Sequence, residues 1–181
     1  MDTPDRLPYR ATDLAAPYDP IAALPVSVFL DNVRSAYNVG AFFRTADAVR
    51  ADTLYLSGFT ARPPHAKIAK TALGAEASVR WEGVDDPAAA LARLRAWGWE
   101  IAAIETSVHA VDLFDWAPSF AVCVVFGHEV DGVRPEVLAA CDTHVRLPML
   151  GLKHSLNVAT AGGVVLFELL RKYRKMVDGR R

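Results

Sequence analysis

The sequence predicts an α/β protein, a mostly parallel sheet flanked by helices, and three observations carry that expectation. Strand-sized apolar runs alternate along the chain with segments of helical periodicity, the pattern that β-α-β layers require. The runs at 26–30 and 121–126 are nearly continuous in apolar residues, as strands covered on both faces are. Of the 181 residues 52% are hydrophobic, enough to build one buried core.

In chain order, residues 1–25 are rich in Pro, Asp and Tyr and read as a lead-in to a single domain over 26–181. The first strand is 26–30. A helix follows at 36–49, where Val39, Phe42 or Phe43, Ala46 and Val49 make the stripe that docks it on the sheet. Residues 53–57 read as a second strand. The stretch 62–74, with its Pro63-Pro64 pair, reads as a loop with one helical turn, and 77–81 as a short strand. An amphipathic helix over 87–97 stops at Gly98, and 100–104 is another strand. Then come the buried strand 121–126, a short helix at 135–141 and a last strand at 143–147. The final helix spans 155–175 with Ser155 as its N-cap.

Composition excludes several classes. No apolar run approaches the roughly 20 residues of a membrane-spanning helix, and the amino terminus lacks a basic-then-apolar signal segment, so a cytoplasmic protein is expected. Cys123 and Cys141 have no zinc-ligand spacing and read as buried thiols. A net charge of −1 argues against a phosphate-backbone partner. The distribution softens that argument, because Arg34, Arg44 and Arg50 cluster and the chain ends in a basic run over 171–181. The competing reading of that run is a solvated helix end whose cations complement the helix dipole.

Three segments carry the candidate chemistry. Gly40 and Arg44 lie one turn apart on a helix, so the absent side chain of Gly40 is expected to open space for a phosphate or ribose beside the guanidinium. By itself an arginine on a helix is a solvated cation. Asn32 and Asn38 stand at a strand-to-helix turn, where asparagine also serves as a cap. In the second segment the strand 121–126 runs into Gly127, where a missing side chain lets backbone approach a ligand beyond a strand's carboxyl end. Glu129 projects from that turn, either into the site or as a cap of the Asp131-Gly132 turn. The third segment repeats the plan: Leu147, Pro148 and Met149 leave a strand, a Gly151 loop follows, and Ser155, Leu156 and Asn157 open a helix. His128 and His154 lie beside these segments as candidate bases. There is no G-x-G-x-x-G after a strand, no phosphate-binding G-x-x-x-x-G-K-[ST], no G-x-S-x-G and no H-E-x-x-H.

Asn38-x-Gly40-x-x-x-Arg44-Thr45-Ala46, Phe126-Gly127-x-Glu129-x-x-Gly132 and Pro148-Met149-x-Gly151-x-x-x-Ser155-Leu156-Asn157-Val158-Ala159 resemble the three motifs of the SpoU (TrmH-like) RNA 2′-O-ribose methyltransferases. The resemblance covers nearly the whole chain from Val26. It implies S-adenosylmethionine as methyl donor, a carboxyl-terminal trefoil knot, a homodimer, and tRNA or rRNA as substrate, with no metal. It implies that Gly127, Leu147, Met149 and Leu156 hold the adenosyl part of the cofactor. Arg44 is then expected across the methyl-transfer site, with Asn38, Glu129, Ser155 and Asn157 arranging substrate and arginine around it. Relatives often carry a glycine after the first-motif helix, where this chain has Arg50-Ala51. Without an extra RNA-binding domain before the motifs, which is the expectation here, recognition would come from the dimer surface, the segment 17–25 and the basic tail.

A guanidinium stays protonated because its pKa lies above about 12. Arg44 is therefore expected to clamp phosphate and stabilise a developing alkoxide, with a substrate phosphate or His128 left to take the proton. Two other readings are a catalytically silent RNA-binding protein of the same fold and a small-molecule methyltransferase using the same cofactor pocket.

Overall fold

A computed structural model describes residues 23–179. The strands are β1 (Val26–Asp31), β2 (Leu54–Ser57), β3 (Trp81–Val84), β4 (Glu100–Ile104), β5 (Val111–Asp112), β6 (Val122–Phe126) and β7 (Thr143–Arg146). They form one sheet in the order β3-β2-β1-β6-β4-β7-β5, and every pairing is parallel. The helices are α1 (Ala36–Val49), α2 (Ala66–Ala72), α3 (Ala75–Ser78), α4 (Pro87–Ala96), α5 (Pro135–Leu138) and α6 (Val158–Asp178).

Alternation along the strands divides the core in two. Val26, Val28, Leu30, Val124 and Phe126 face α1, α2, α3 and α6, whereas Phe29, Tyr55, Ile101, Cys123 and Val125 face α4 and α5. The central strands read as apolar throughout because helices cover both faces. Cys123 lies wholly buried, and Cys141 is half-buried with its thiol pushed up to about 12 by burial and by the charge of Asp142. Of the expected lead-in, 1–22 lies outside the described residues, as do 180–181 of the basic tail. Leu24 is already buried and bridges to Ala51. Among the described residues no helix is long and apolar enough to cross a membrane.

The sequence reading needs correction in four places. The segment 62–74 holds the two-turn helix α2, because Ile68 and Ala72, four residues apart, both bury against the core and His65 caps the start through Nδ1. Residues 75–78 form α3 instead of a strand, and the strand begins only at Trp81. The two-residue strand β5 at the sheet edge was not foreseen. The last helix starts at Val158, and its N-cap is Asn157, whose Oδ1 accepts from the Ala159 and Thr160 N–H groups, while Ser155 lies outside it.

Two positions next to α1 follow from sterics. Arg50 takes φ 53° at its carboxyl end, the left-handed conformation for which a glycine pays no Cβ penalty. Gly40 does not open a ligand space: a Cβ there would meet the Thr71 hydroxyl and the Ile68 carbonyl, so its bareness lets α2 lie against α1. Gly162 does the same for α6 against the Phe42 ring, so α6 packs into the core at that position. Gly40→Ala should therefore lower the unfolding free energy by about 1–3 kcal/mol through overpacking, outweighing the ~1 kcal/mol that alanine gains in helix propensity. Equilibrium urea unfolding measures this; a gain in stability would mean that the two helices separate freely.

Candidate active site

At the carboxyl ends of β4, β6 and β7 lies a cavity of about 280 Å³. Its walls come from the ends of those strands, the loop after β6 and the approach to α6. Gly127, Glu129, Leu147, Met149, Ser155, Leu156 and Asn157 all line it, so seven of the nine expected site residues converge.

The eighth, Asn38, joins through hydrogen bonds. Ser35 caps α1 by accepting from the Asn38 N–H, which frees the Asn38 side chain from capping duty. Asn38 Nδ2 donates to Glu129 Oε1 at 2.8 Å, and Asn157 Nδ2 donates to Asn38 Oδ1 at 3.3 Å. Glu129 also accepts from the backbone N–H groups of Arg34 at 2.9 Å and Ser35 at 3.1 Å. It therefore does not cap the Asp131-Gly132 turn; it ties the second motif to the start of α1. Partial burial raises the Glu129 pKa, but the donors from Arg34, its own backbone, Asn38 and Ser35 together outweigh that and hold it below the ordinary carboxylate value.

Arg44 stands apart. It is exposed and is not among the cavity walls. At 3.6 residues per turn it lies about 120° around α1 from Asn38, on the outward stripe with Tyr37 and Ala48. The space expected between it and Gly40 is filled by α2.

Gly127 lines the cavity, as expected, and its bareness also has a structural reason. A Cβ there would collide with the backbone of Gly132 and Val133, so its bareness closes the loop of residues 127–133 on itself, where His128 and Gly132 exchange two backbone hydrogen bonds of 2.9 Å. Glu105, at the end of β4, was missed because a lone glutamate carries no pattern. It lines the cavity, and its Oε2 accepts from the Val133 N–H at 3.1 Å.

Residues 25–167 match the SpoU rRNA Methylase family. The chain belongs to that family. It is 34% identical over 148 residues to a tRNA (guanosine(18)-2′-O)-methyltransferase of Aquifex aeolicus, covering 80% of this chain and 68% of that one. It is 36% identical over 167 residues to the 23S rRNA (guanosine-2′-O-)-methyltransferase RlmB of a Burkholderia species, covering 92% and 67%. The structure of the SpoU methyltransferase AviRb from Streptomyces viridochromogenes in complex with AdoMet superposes with TM-score 0.76 at 25% identity, covering 88% and 66%. The chain thus spans about two thirds of each of these SpoU relatives.

A carboxylate whose folded pKa is depressed contributes stability above its unfolded pKa and loses it as pH falls through the folded value. Glu129 should therefore titrate below an unstructured glutamate, and the junction between the loop after β6 and α1 should weaken progressively as pH falls from the ordinary carboxylate range to that lower midpoint. Asn38→Ala, which removes one donor, should move the midpoint up. Carboxyl carbon shifts followed by NMR across acid pH test both, and an unmoved midpoint would show that Glu129 draws nothing from Asn38.

Proposed function

We propose that this protein transfers a methyl group from S-adenosylmethionine to a ribose 2′-hydroxyl in tRNA or rRNA, acting in the cytoplasm as a homodimer. The observation that carries the reading is the hydrogen-bonded set Glu129, Asn38 and Asn157, which gathers all three motifs at one cavity beyond the strand ends. The SpoU relatives named for guanosine 2′-O-methylation support it.

The residues present fit the cofactor. Leu147, Met149 and Leu156 offer apolar walls, and the glycine-containing loop 127–132 offers peptide groups, a mixture that suits an adenosine-bearing molecule. When bound, S-adenosylmethionine supplies a methyl group already electrophilic on its sulfonium.

What the chain must add is placement and charge stabilisation. Glu129, committed to three donors, positions the loop and is a poor base. Ser155 has an exposed hydroxyl in the cavity wall with no partner among the described residues, suited to a ribose hydroxyl. His128 Nδ1 lies against the Val130 and Asp131 N–H groups and the Asp131 carboxylate, which fixes the ring in the loop and leaves Nε2 as its unengaged nitrogen. Either that nitrogen or a substrate phosphate receives the 2′-proton. Arg44 clamps phosphate and stabilises the developing alkoxide.

Because Arg44 faces away from its own cavity, it serves the cavity of a second copy. Val164 and Phe167 are exposed on α6, and Gly163 beside them faces open space, so the helix that packs on α1 keeps an apolar strip for that copy to cover. The trefoil knot belongs to the same reading. Ile104 and Val111 flank Val145 at one level on either side of β7, so residues 105–110 arch over the strand from which the chain continues toward α6. The relatives named as 2′-O-methyltransferases favour the enzyme over a catalytically silent RNA-binding protein of the same fold.

Labelled S-adenosylmethionine with pooled unmodified tRNA and rRNA transcripts should yield 2′-O-methylnucleosides; RNA binding without transfer would favour the silent protein. Arg44→Ala should lower single-turnover rate by roughly 10²–10⁴-fold with little change in cofactor affinity. Mixing Arg44→Ala with Asn157→Ala subunits should restore about a quarter of wild-type turnover, since random pairing of a two-fold dimer leaves one intact site in half the molecules. No recovery would return Arg44 to its own subunit's cavity.

A further inference from the structure

A second cavity, of about 210 Å³, shares the same loop and is walled by Asn32, Phe59, His128, Asp131, Arg134 and neighbouring backbone. We propose that it receives the nucleobase of the nucleotide to be methylated, and that its polar groups select guanine. This rests on the methyl-transfer reading above. His128 and Gly132 line both cavities, so the base and the methyl donor would meet at one short loop whose tip carries Glu129.

Phe59 is the first argument. It is 61% exposed, yet it is held. Its N–H donates to Asn32 Oδ1 at 3.1 Å, with Asn32 at φ 58° and Gly58 at φ 62°. Any side chain at Gly58 would strike that Asn32 amide. One residue on, the buried Thr60 hydroxyl accepts from the Val33 N–H and donates to the Leu30 carbonyl, each at 3.0 Å. The ends of β1 and β2 are thus fastened together, and two left-handed residues are spent on fixing one aromatic ring in water. That ring meets His128 at 84° and 5.9 Å, which makes a corner in which a planar base stacks on one ring and abuts the other.

The back of the corner is equally fixed. Asp31, wholly buried, accepts from the backbone N–H of Arg134 at 3.1 Å and from its guanidinium at 2.5 Å and 2.9 Å, and Ser57 accepts a further guanidinium bond at 3.2 Å. The hydrogen-bonding groups left over lie toward the cavity. Asn32 Nδ2 has no hydrogen-bond partner among the described residues, and the Asp131 side chain is 80% exposed, with one oxygen 2.9 Å from His128 Nδ1. Guanine is the base whose Watson–Crick edge places two N–H donors side by side next to a carbonyl. The donors match a carboxylate and the carbonyl matches an amide N–H, whereas adenine, cytosine and uracil each offer the carboxylate a single donor position.

The test uses the full chain, labelled S-adenosylmethionine and pooled unmodified tRNA and rRNA transcripts, with the RNA digested to nucleosides. Wild-type protein should yield 2′-O-methylguanosine. Phe59→Ala should raise the KM for RNA roughly 5- to 150-fold, the loss of one stacked base, with unchanged cofactor affinity, and Phe59→Tyr should restore it. Asp131→Asn should cut the preference for guanosine by roughly 5- to 150-fold, the worth of one bidentate base contact. Product on another nucleoside overturns the guanine assignment, and guanosine product unaffected by either variant overturns the site while leaving the methyltransferase intact. Absence of any 2′-O-methyl product removes the methyl-transfer reading itself, and this site with it.

Discussion

The Glu129 carboxylate is the contact on which the arrangement of the active site depends. Ordering the loop after β6 requires a partner that loop cannot supply to itself, and Glu129 finds it in three N–H donors at the start of α1, more than ninety residues earlier in the chain. The loop is then held elsewhere by two further acidic groups. Glu105 takes the Val133 N–H, and the buried Asp31 takes Arg134. Breaking a buried pair such as Asp31 with Arg134 leaves an uncompensated charge inside the protein, which is more costly than never having built it. Three carboxylates on three segments therefore fix one short loop, and that loop is the common wall of both cavities. Its closure also needs Gly127, where backbone passes against backbone and no side chain fits.

Much of this was legible in the sequence, and the remainder was hidden for definable reasons. Continuous apolar runs reveal strands covered on both faces, so β1, β4 and β6 were found nearly to the residue. The bounds of α1 were correct because its stripe has an unmixed helical period. Helix α2 was obscured by Pro63-Pro64, which reads as a loop although it only precedes the helix. At α3 the composition Ala-Glu-Ala-Ser-Val decides nothing between helix and strand. Spacing says which residues share a helix face but not what lies against that face. Gly40 was therefore assigned to a ligand when it belongs to α2. Single residues such as Glu105, Asn32 and Phe59 make no pattern at all; only the crossing of strand ends gives them a role.

The charge of the chain is a similar case. A net value near zero argues against RNA only if the cations are spread evenly, and they are not. Arg62, Arg93 and Arg95 are each paired with a carboxylate on the side of the sheet edge and α4. Around the first motif, no carboxylate lies within salt-bridge distance of Arg34, Arg44, Lys67 or Lys70 among the described residues, and both lysines lie over the exposed Tyr37 ring. A phosphate backbone responds to this local excess and not to the sum over the chain.

The position of Arg44 turns that distribution into a constraint on assembly. One helix cannot present Asn38 to its own cavity and, about a third of a turn of circumference away, present Arg44 to the same point. Moving Arg44 inward would require rotating α1, and rotation is blocked on one side by Gly40 against α2 and on the other by Phe42 against Gly162. Both contacts are at the limit of steric approach, so α1 is locked about its axis with Asn38 in and Arg44 out. On the proposed reading, in which catalysis uses both residues, a helix locked in this way offers Arg44 to a second copy of the chain. The close glycine packing within one subunit is then the physical reason for that proposed pairing.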